Sequence, residues 1–79
     1  MKLTIQYFAI LREQRGLSEE VVQTASKSPR ELYEVLAGEH GFTLPVASLR
    51  AAVNDEFVSM DHALSAGDVV AFIAPVAGG

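Results

Sequence analysis

The 79-residue chain contains no cysteine, which excludes disulfides, thiolate metal sites and a cysteine nucleophile. That lack fits a cytoplasmic protein and leaves the C-terminus as the place for any sulfur chemistry. Cations are scarce: six Lys and Arg stand against ten Asp and Glu, for a net charge of −4. Without a basic cluster, nothing is available to neutralise a nucleic-acid backbone or an anionic membrane surface. The longest apolar run, Val69 to Ala77, falls well short of the roughly 20 residues of a membrane-spanning helix. Met1 to Leu11 is apolar, but Thr4 and Gln6 interrupt it and no small-residue cleavage site follows, so no secretory leader is expected. The two histidines, His40 and His62, are not at metal-ligand spacing. No glycine-rich phosphate loop or catalytic triad order is present, so a self-contained enzyme is not expected.

What remains is a short chain that is 49% hydrophobic, enough to fold as one domain around one core. Leu3, Ile5 and Tyr7 alternate with Thr4 and Gln6, the period of a half-buried strand. Phe8 then falls on the face that should be polar. Ala9 to Arg15 reads as a short helical turn closed by Gly16, and Glu19 to Ala25 as a second strand pairing with the first. Ser28-Pro29-Arg30-Glu31 is a helix start, with Ser28 as cap, Pro29 in the first turn and Glu31 reaching back in a capping box. Leu32, Val35 and Leu36 mark the buried face of that helix, and Gly41 ends it, with Pro45 preventing a restart. Leu49 to Val53 reads as a strand, Asn54 to Glu56 as a turn and Phe57 to Met60 as a short return. Val69 to Ile73, apolar on both faces, reads as a central strand. The order predicts an α+β fold with one main helix across a mixed sheet.

Side-chain candidates for chemistry have simpler explanations. Asp61 and His62 are neighbours on an extended chain and point to opposite faces, which suits structural roles. His40 sits at the negative end of the helix dipole, and Asp55 and Glu56 are at home in a hairpin turn. The closing Gly78-Gly79 is different. At an average glycine usage of about 7%, two closing glycines arise by chance in roughly half a percent of chains. Pro75 to Gly79 give about 17 Å of extended reach, and glycine lacks the Cβ that would block a narrow channel. The terminal carboxyl, with an ordinary pKa of about 3.3 to 3.7, is an anion and a poor electrophile. Adenylation by ATP would supply a leaving group, and a sulfide or amine could then attack an uncrowded carbonyl.

The element order closing on Gly-Gly resembles the ubiquitin-like β-grasp fold, with a flexible C-terminal tail over residues 75–79 behind a folded body over residues 1–74. Four segments make the chain similar, over its whole length, to the sulfur-carrier small subunits of molybdopterin synthases. They are Phe8-Ala9-x-x-Arg12-Glu13, Ala51-Ala52-Val53-Asn54, Asp61-His62 with Gly67-Asp68, and Pro75-Val76-Ala77-Gly78-Gly79. The resemblance implies that Gly79 is the catalytic position, adenylated and then converted to a thiocarboxylate, while Pro75, Val76, Ala77 and Gly78 insert into a partner. The implied partners are an adenylating enzyme, a sulfur donor and the synthase large subunit, in a heterotetramer whose catalytic side chains belong to the large subunit. Sulfur would pass to cyclic pyranopterin monophosphate in molybdenum cofactor biosynthesis. No permanently bound cofactor or metal is implied, and ATP is consumed by the activating partner. The family's apolar contact surface matches Phe8, Phe57 and Ile73. Two departures stand out: Ala74-Pro75 where many relatives carry a double proline, and Val69 where relatives often have an acid. A carrier for thiamine thiazole synthesis or tRNA thiolation, a ubiquitin-like protein modifier, and a binding module with incidental glycines remain as alternatives.

Overall fold

The computed structural model describes residues 1–74, and the expected tail, Pro75 to Gly79, lies outside the described residues. Alternation makes the first strand, β1 (Lys2–Tyr7): Leu3, Ile5 and Tyr7 are buried, while Lys2 is exposed and Thr4 and Gln6 are partly exposed. Ala9 adopts a left-handed φ of 51°, an uncommon conformation for a residue with a Cβ. It turns the chain into α1 (Ala9–Arg15), whose buried Leu11 enters the core and which ends on Gly16 at φ 81°. The short helical segment expected over Ala9–Arg15 is a helix of those seven residues. The second strand, β2 (Glu19–Gln23), is shorter than expected and runs antiparallel to β1, with Ile5 opposite Glu20.

The main helix, α2 (Pro29–His40), starts and stops where its cap residues require. The Glu31 backbone N–H donates to Ser28 Oγ at 3.2 Å, and the Gly41 N–H donates to the Ala37 carbonyl at 2.8 Å with φ 70°. One detail differs from the expected box: the Glu31 carboxylate accepts from the Lys27 N–H at 3.1 Å, one residue before the cap. Pro29, Leu32, Tyr33 and Leu36 form the buried stripe, whereas Val35, expected on it, is exposed. A short 3-10 turn, Val46–Ser48, follows Pro45, whose fixed φ suits the entry to a tight turn.

Two short strands follow, β3 (Arg50–Val53) and β4 (Glu56–Val58). The turn between them has two residues, Asn54 at φ 52° and Asp55 at φ 71°, the pair of left-handed positions that a tight hairpin needs. The return strand consequently starts at Glu56, before the expected Phe57, and ends at Val58. The last strand, β5 (Val69–Ile73), lies in the middle of a five-stranded sheet of order β2-β1-β5-β3-β4. It is parallel to β1 and antiparallel to β3.

One face of this mixed sheet carries the core. Leu3, Ile5, Tyr7, Val53, Val70 and Phe72 pack against Leu11, Leu32, Tyr33, Leu36 and Phe42. Tyr33 is ringed by Phe72 at 5.4 Å and Phe42 at 5.8 Å between centroids. Its hydroxyl donates to the Leu44 carbonyl at 2.7 Å, so the burial leaves no polar atom stranded. Tyr7 is tied differently: its hydroxyl donates to Glu20 at 2.7 Å, and Arg15 grips the same carboxylate with two bonds of 2.8 Å.

Candidate functional site

Among the described residues, α2 and Leu11 of α1 cover the core face and no helix covers the other face of the sheet. Register decides which side chains share it. Ala52 pairs with Ala71 on one side and Phe57 on the other, and Arg50 pairs with Ile73; paired residues project to the same face. Ile73 therefore sits beside Arg50, one ladder step from the row of Ala71, Ala52 and Phe57. Phe8 joins them because it is still extended, with φ −131° and ψ 153°, and directly follows core-facing Tyr7. Tyr7 pairs with Phe72, so Phe8 stands next to Ile73 in the continued register.

The open-face position expected for Phe8 is thus where the structure places it, 45% exposed. Phe57 is 62% exposed and Ile73 half-buried, so none of the three is a core residue and all lie at one end of one face. The Arg50 guanidinium stacks over the Phe57 ring at 4.9 Å, holding that ring by cation–π attraction. Between the aromatic side chains, buried Ala52 and Ala71 form a low apolar floor. Sequence reasoning missed Arg50, Ala52 and Ala71. The run Ala51-Ala52-Val53 is apolar on both faces and shows no alternation, so register assigns Ala52 outward.

The chain leaves the sheet at this end: Ala74, the last described residue, follows Ile73 directly. The tail positions Pro75, Val76, Ala77, Gly78 and Gly79 lie outside the described residues. The opposite end of β3 and β5 is tied by another set of side chains. Asn54 Nδ2 donates to Asp68 at 3.0 Å, Asn54 Oδ1 accepts from the Val69 N–H at 3.0 Å, and Asp68 accepts from the Ser65 N–H at 2.8 Å. These bonds lock the β3–β4 hairpin to the start of β5 and give the Asn54 and Asp68 of the sequence motifs a structural task.

The remaining polar candidates lie apart from the patch. Asp61 pairs with Arg30 at 2.9 Å, which holds its carboxyl below the usual range. The His62 backbone N–H donates to Ser59, and the His40 ring lies 5.8 Å from that of Phe42. Among the described residues no cluster of three or more His, Asp or Glu could hold a metal ion, and no helix is long and apolar enough to cross a membrane.

Comparison with known proteins resolves what kind of domain presents this patch and this exit point. Residues 5–79 match the model of the ThiS family. The chain belongs to the ThiS family. It is similar to the molybdopterin synthase sulfur carrier subunit of Escherichia coli strain K12, at 35% identity covering 98% of this chain and 99% of the relative. A solved structure, the putative molybdopterin converting factor subunit 1 of Pyrococcus furiosus, superposes with a TM-score of 0.80 at 32% identity, covering 96% of this chain and 99% of that one. The complex of subunits 1 and 2 of the molybdopterin-converting factor of Helicobacter pylori matches over the whole of both chains at TM-score 0.67 and 21% identity, a likeness of fold. The ThiS-family match and these superpositions agree with the expected β-grasp architecture.

Proposed function

We propose that this protein is the sulfur-carrier subunit of a molybdopterin synthase. The observation that carries the reading is the 35% identity, over nearly the whole of both chains, to a sulfur carrier subunit of that synthase. Like that relative, the chain is a carrier and not a catalyst on its own. In this reading the Gly79 carboxylate attacks the α-phosphorus of ATP on an activating enzyme, and pyrophosphate leaves. Hydrosulfide released by a donor then attacks the acyl carbon, AMP leaves with its electron pair, and loss of the S–H proton leaves a thiocarboxylate. Gly79 presents that sulfur to cyclic pyranopterin monophosphate within the large subunit, with Pro75, Val76, Ala77 and Gly78 as the inserted strap. ATP is spent by the activating partner, so no resident cofactor enters.

Phe8, Phe57 and Ile73 are the surface on which the large subunit docks in this scheme. Their clustering beside the chain's exit from β5 supports it, since large exposed apolar side chains mark partner surfaces. The two-subunit complex of the Helicobacter relative supports a large-subunit partner, and the cysteine-free composition suits a cytoplasmic carrier that uses its terminus.

The test is intact-mass analysis of the protein before and after incubation with ATP, an activating enzyme and a sulfur source. A mass gain equal to one oxygen replaced by sulfur is expected, followed by loss of that sulfur when large subunit and pyranopterin are added. Deleting Gly79 should abolish transfer and leave the thermal transition unchanged. Sulfur transfer by the deletion variant would overturn the reading, and conjugates to lysine in place of thiocarboxylate would redirect it to a protein modifier.

A further inference from the structure

The edge of the sheet farthest from the aromatic patch carries a second, differently built surface. β2 is an edge strand, and the ladder phase shows which of its backbone groups are free. The Tyr7 N–H donates to the Ser18 carbonyl and the Thr24 N–H to the Met1 carbonyl, both at 2.9 Å. Bonded pairs alternate along an antiparallel ladder, so Glu20 and Val22 point their backbone groups at β1. Glu19, Val21 and Gln23 therefore point theirs away from the sheet, a rail of roughly 14 Å. Below this rail a cleft of about 170 Å³ runs between β2 and α2, with Val22, Leu32, Val35 and Leu36 among its lining residues. It continues into an open trough of about 700 Å³ bordered by Gln23, Ser26, Glu31, Glu34 and Val35. Val35 is 48% exposed, an apolar residue left bare in the middle of the cleft.

The far wall is acidic. Glu31, Glu34 and Glu39 line it along α2, spanning about 12 Å at 1.5 Å per residue. The ion pairs among the described residues are Arg15 with Glu20 and Arg30 with Asp61, so these three carboxylates have no cation in contact. Arg15 at the cleft is held by Glu20, and His40 stands at its end. A backbone rail and a parallel acidic rail of nearly equal length, with an apolar trough between, define the occupant.

We propose that this cleft docks an extended, cationic segment of a partner protein, which adds to β2 as a further strand. Its backbone pairs with Glu19, Val21 and Gln23. Inward side chains place an apolar residue against Val22, Val35 and Leu36, and a lysine or arginine two positions to either side, facing Glu31 or Glu34 and Glu39. Alternate side chains of an added strand give such recognition its specificity. Charge selects against a second copy of the chain, since each carries −4. The inference is independent of the sulfur-carrier reading, because the cleft lies on the other side of the sheet from Phe8, Phe57 and Ile73 and both surfaces can be occupied together.

The probe is a terminally blocked peptide, Thr-Lys-Thr-Ile-Thr-Lys-Thr, titrated into the full-length, isotope-labelled protein. Its counterpart with glutamate for lysine is the control. The amides of Glu19, Val21 and Gln23 should shift and exchange at least fivefold more slowly, and the glutamate peptide should bind at least tenfold more weakly. Glu34→Lys with Glu39→Lys should weaken the lysine peptide at least fivefold. Val21→Pro removes an outward N–H without breaking a bond to β1, a substitution edge strands tolerate, and should abolish binding. If that variant fails to fold, a peptide N-methylated at its central amides asks the same question. Equal affinity for both peptides, no binding of the lysine peptide, shifts on the Phe8 and Phe57 face, or unaltered binding after N-methylation would each overturn the proposal.

Discussion

Phe57→Ala separates docking from folding. The Phe57 ring is 62% exposed, and a phenylalanine of roughly 200 Å² therefore has about 125 Å² left to cover. At about 25 cal/mol per Å², covering it in an interface contributes about 3 kcal/mol, less the share an alanine keeps. The expected loss of affinity for the synthase large subunit is about 2 to 3 kcal/mol, or roughly 30- to 150-fold in Kd. Folding loses far less. The ring's intramolecular partner in the patch is the Arg50 guanidinium at 4.9 Å, an exposed cation–π contact of about 0.5 to 1 kcal/mol, which corresponds to a fall of no more than about 8 °C in Tm. Calorimetric titration against the large subunit, paired with a thermal melt, reads both numbers. Val21→Ala is the control, because Val21 is as exposed, at 64%, yet lies on edge strand β2. A change in Kd below threefold for Phe57→Ala, or an equal loss for Val21→Ala, would refute the assignment of the patch.

Two further outcomes concern stability. Gly38 lies inside α2 with nothing within 4 Å of where a Cβ would stand, so Gly38→Ala should raise stability by about 0.4 to 1 kcal/mol, and a lower urea midpoint would count against that. The pH dependence has two limbs. Arg15's hydrogen bonds, aided by Tyr7's, hold the Glu20 carboxyl below its usual range although burial opposes them. Stability from that shift is fully present above the unfolded value of about 4.3 and is lost as pH falls through the folded one. Burial first, and then Glu20, push the Tyr7 phenol above its usual range, so its contribution is complete below about pH 10 and is lost as pH rises further. Urea midpoints from acid to alkaline pH should form a dome, with Glu20→Gln shallower on the acid side and Tyr7→Phe shallower on the alkaline side. Unchanged slopes would remove the cluster as the cause.

The legible parts of this fold were those written in local chemistry. Alternation announced β1, and Ser28, Pro29 and Gly41 bracketed α2 because capping is a matter of a few adjacent residues. Phe8 stood out because it broke that alternation. What the sequence hid was non-local. Nothing in Arg50-Ala51-Ala52-Val53 shows that Ala52 faces outward, because small apolar residues suit either side of a strand. The short 3-10 turn after Pro45 depends on how the chain is drawn between α2 and the sheet. The cleft under β2 was invisible for the same reason: its two walls are separated in sequence, and β2 is an edge only because β5 takes the place on the other side of β1. The chemistry assigned to Gly79 rests on the identity of the terminal residues and on kinship.

Strand direction links the patch to the tail. β5 is parallel to β1, so both strands end on the same side of the molecule and the chain leaves the sheet beside Phe8. The start of β3 and the end of β4 reach that side too, bringing Arg50 and Phe57. Reversing β5 would move the exit to the opposite end of a five-residue strand, a displacement of roughly 13 Å over its four steps of about 3.3 Å. Residues 75–79 would span at most about 17 Å when fully extended. A tail leaving from the wrong end would use most of its length returning to the patch and would keep only about 4 Å to enter a partner. The parallel pairing of β1 with β5, made possible by the crossover through α2, therefore puts the chain's exit beside Phe8, Phe57 and Ile73, as the proposed docking role of that patch requires. It also leaves β2 as an edge strand, where the proposed cationic segment would add without covering the Phe8 and Phe57 patch.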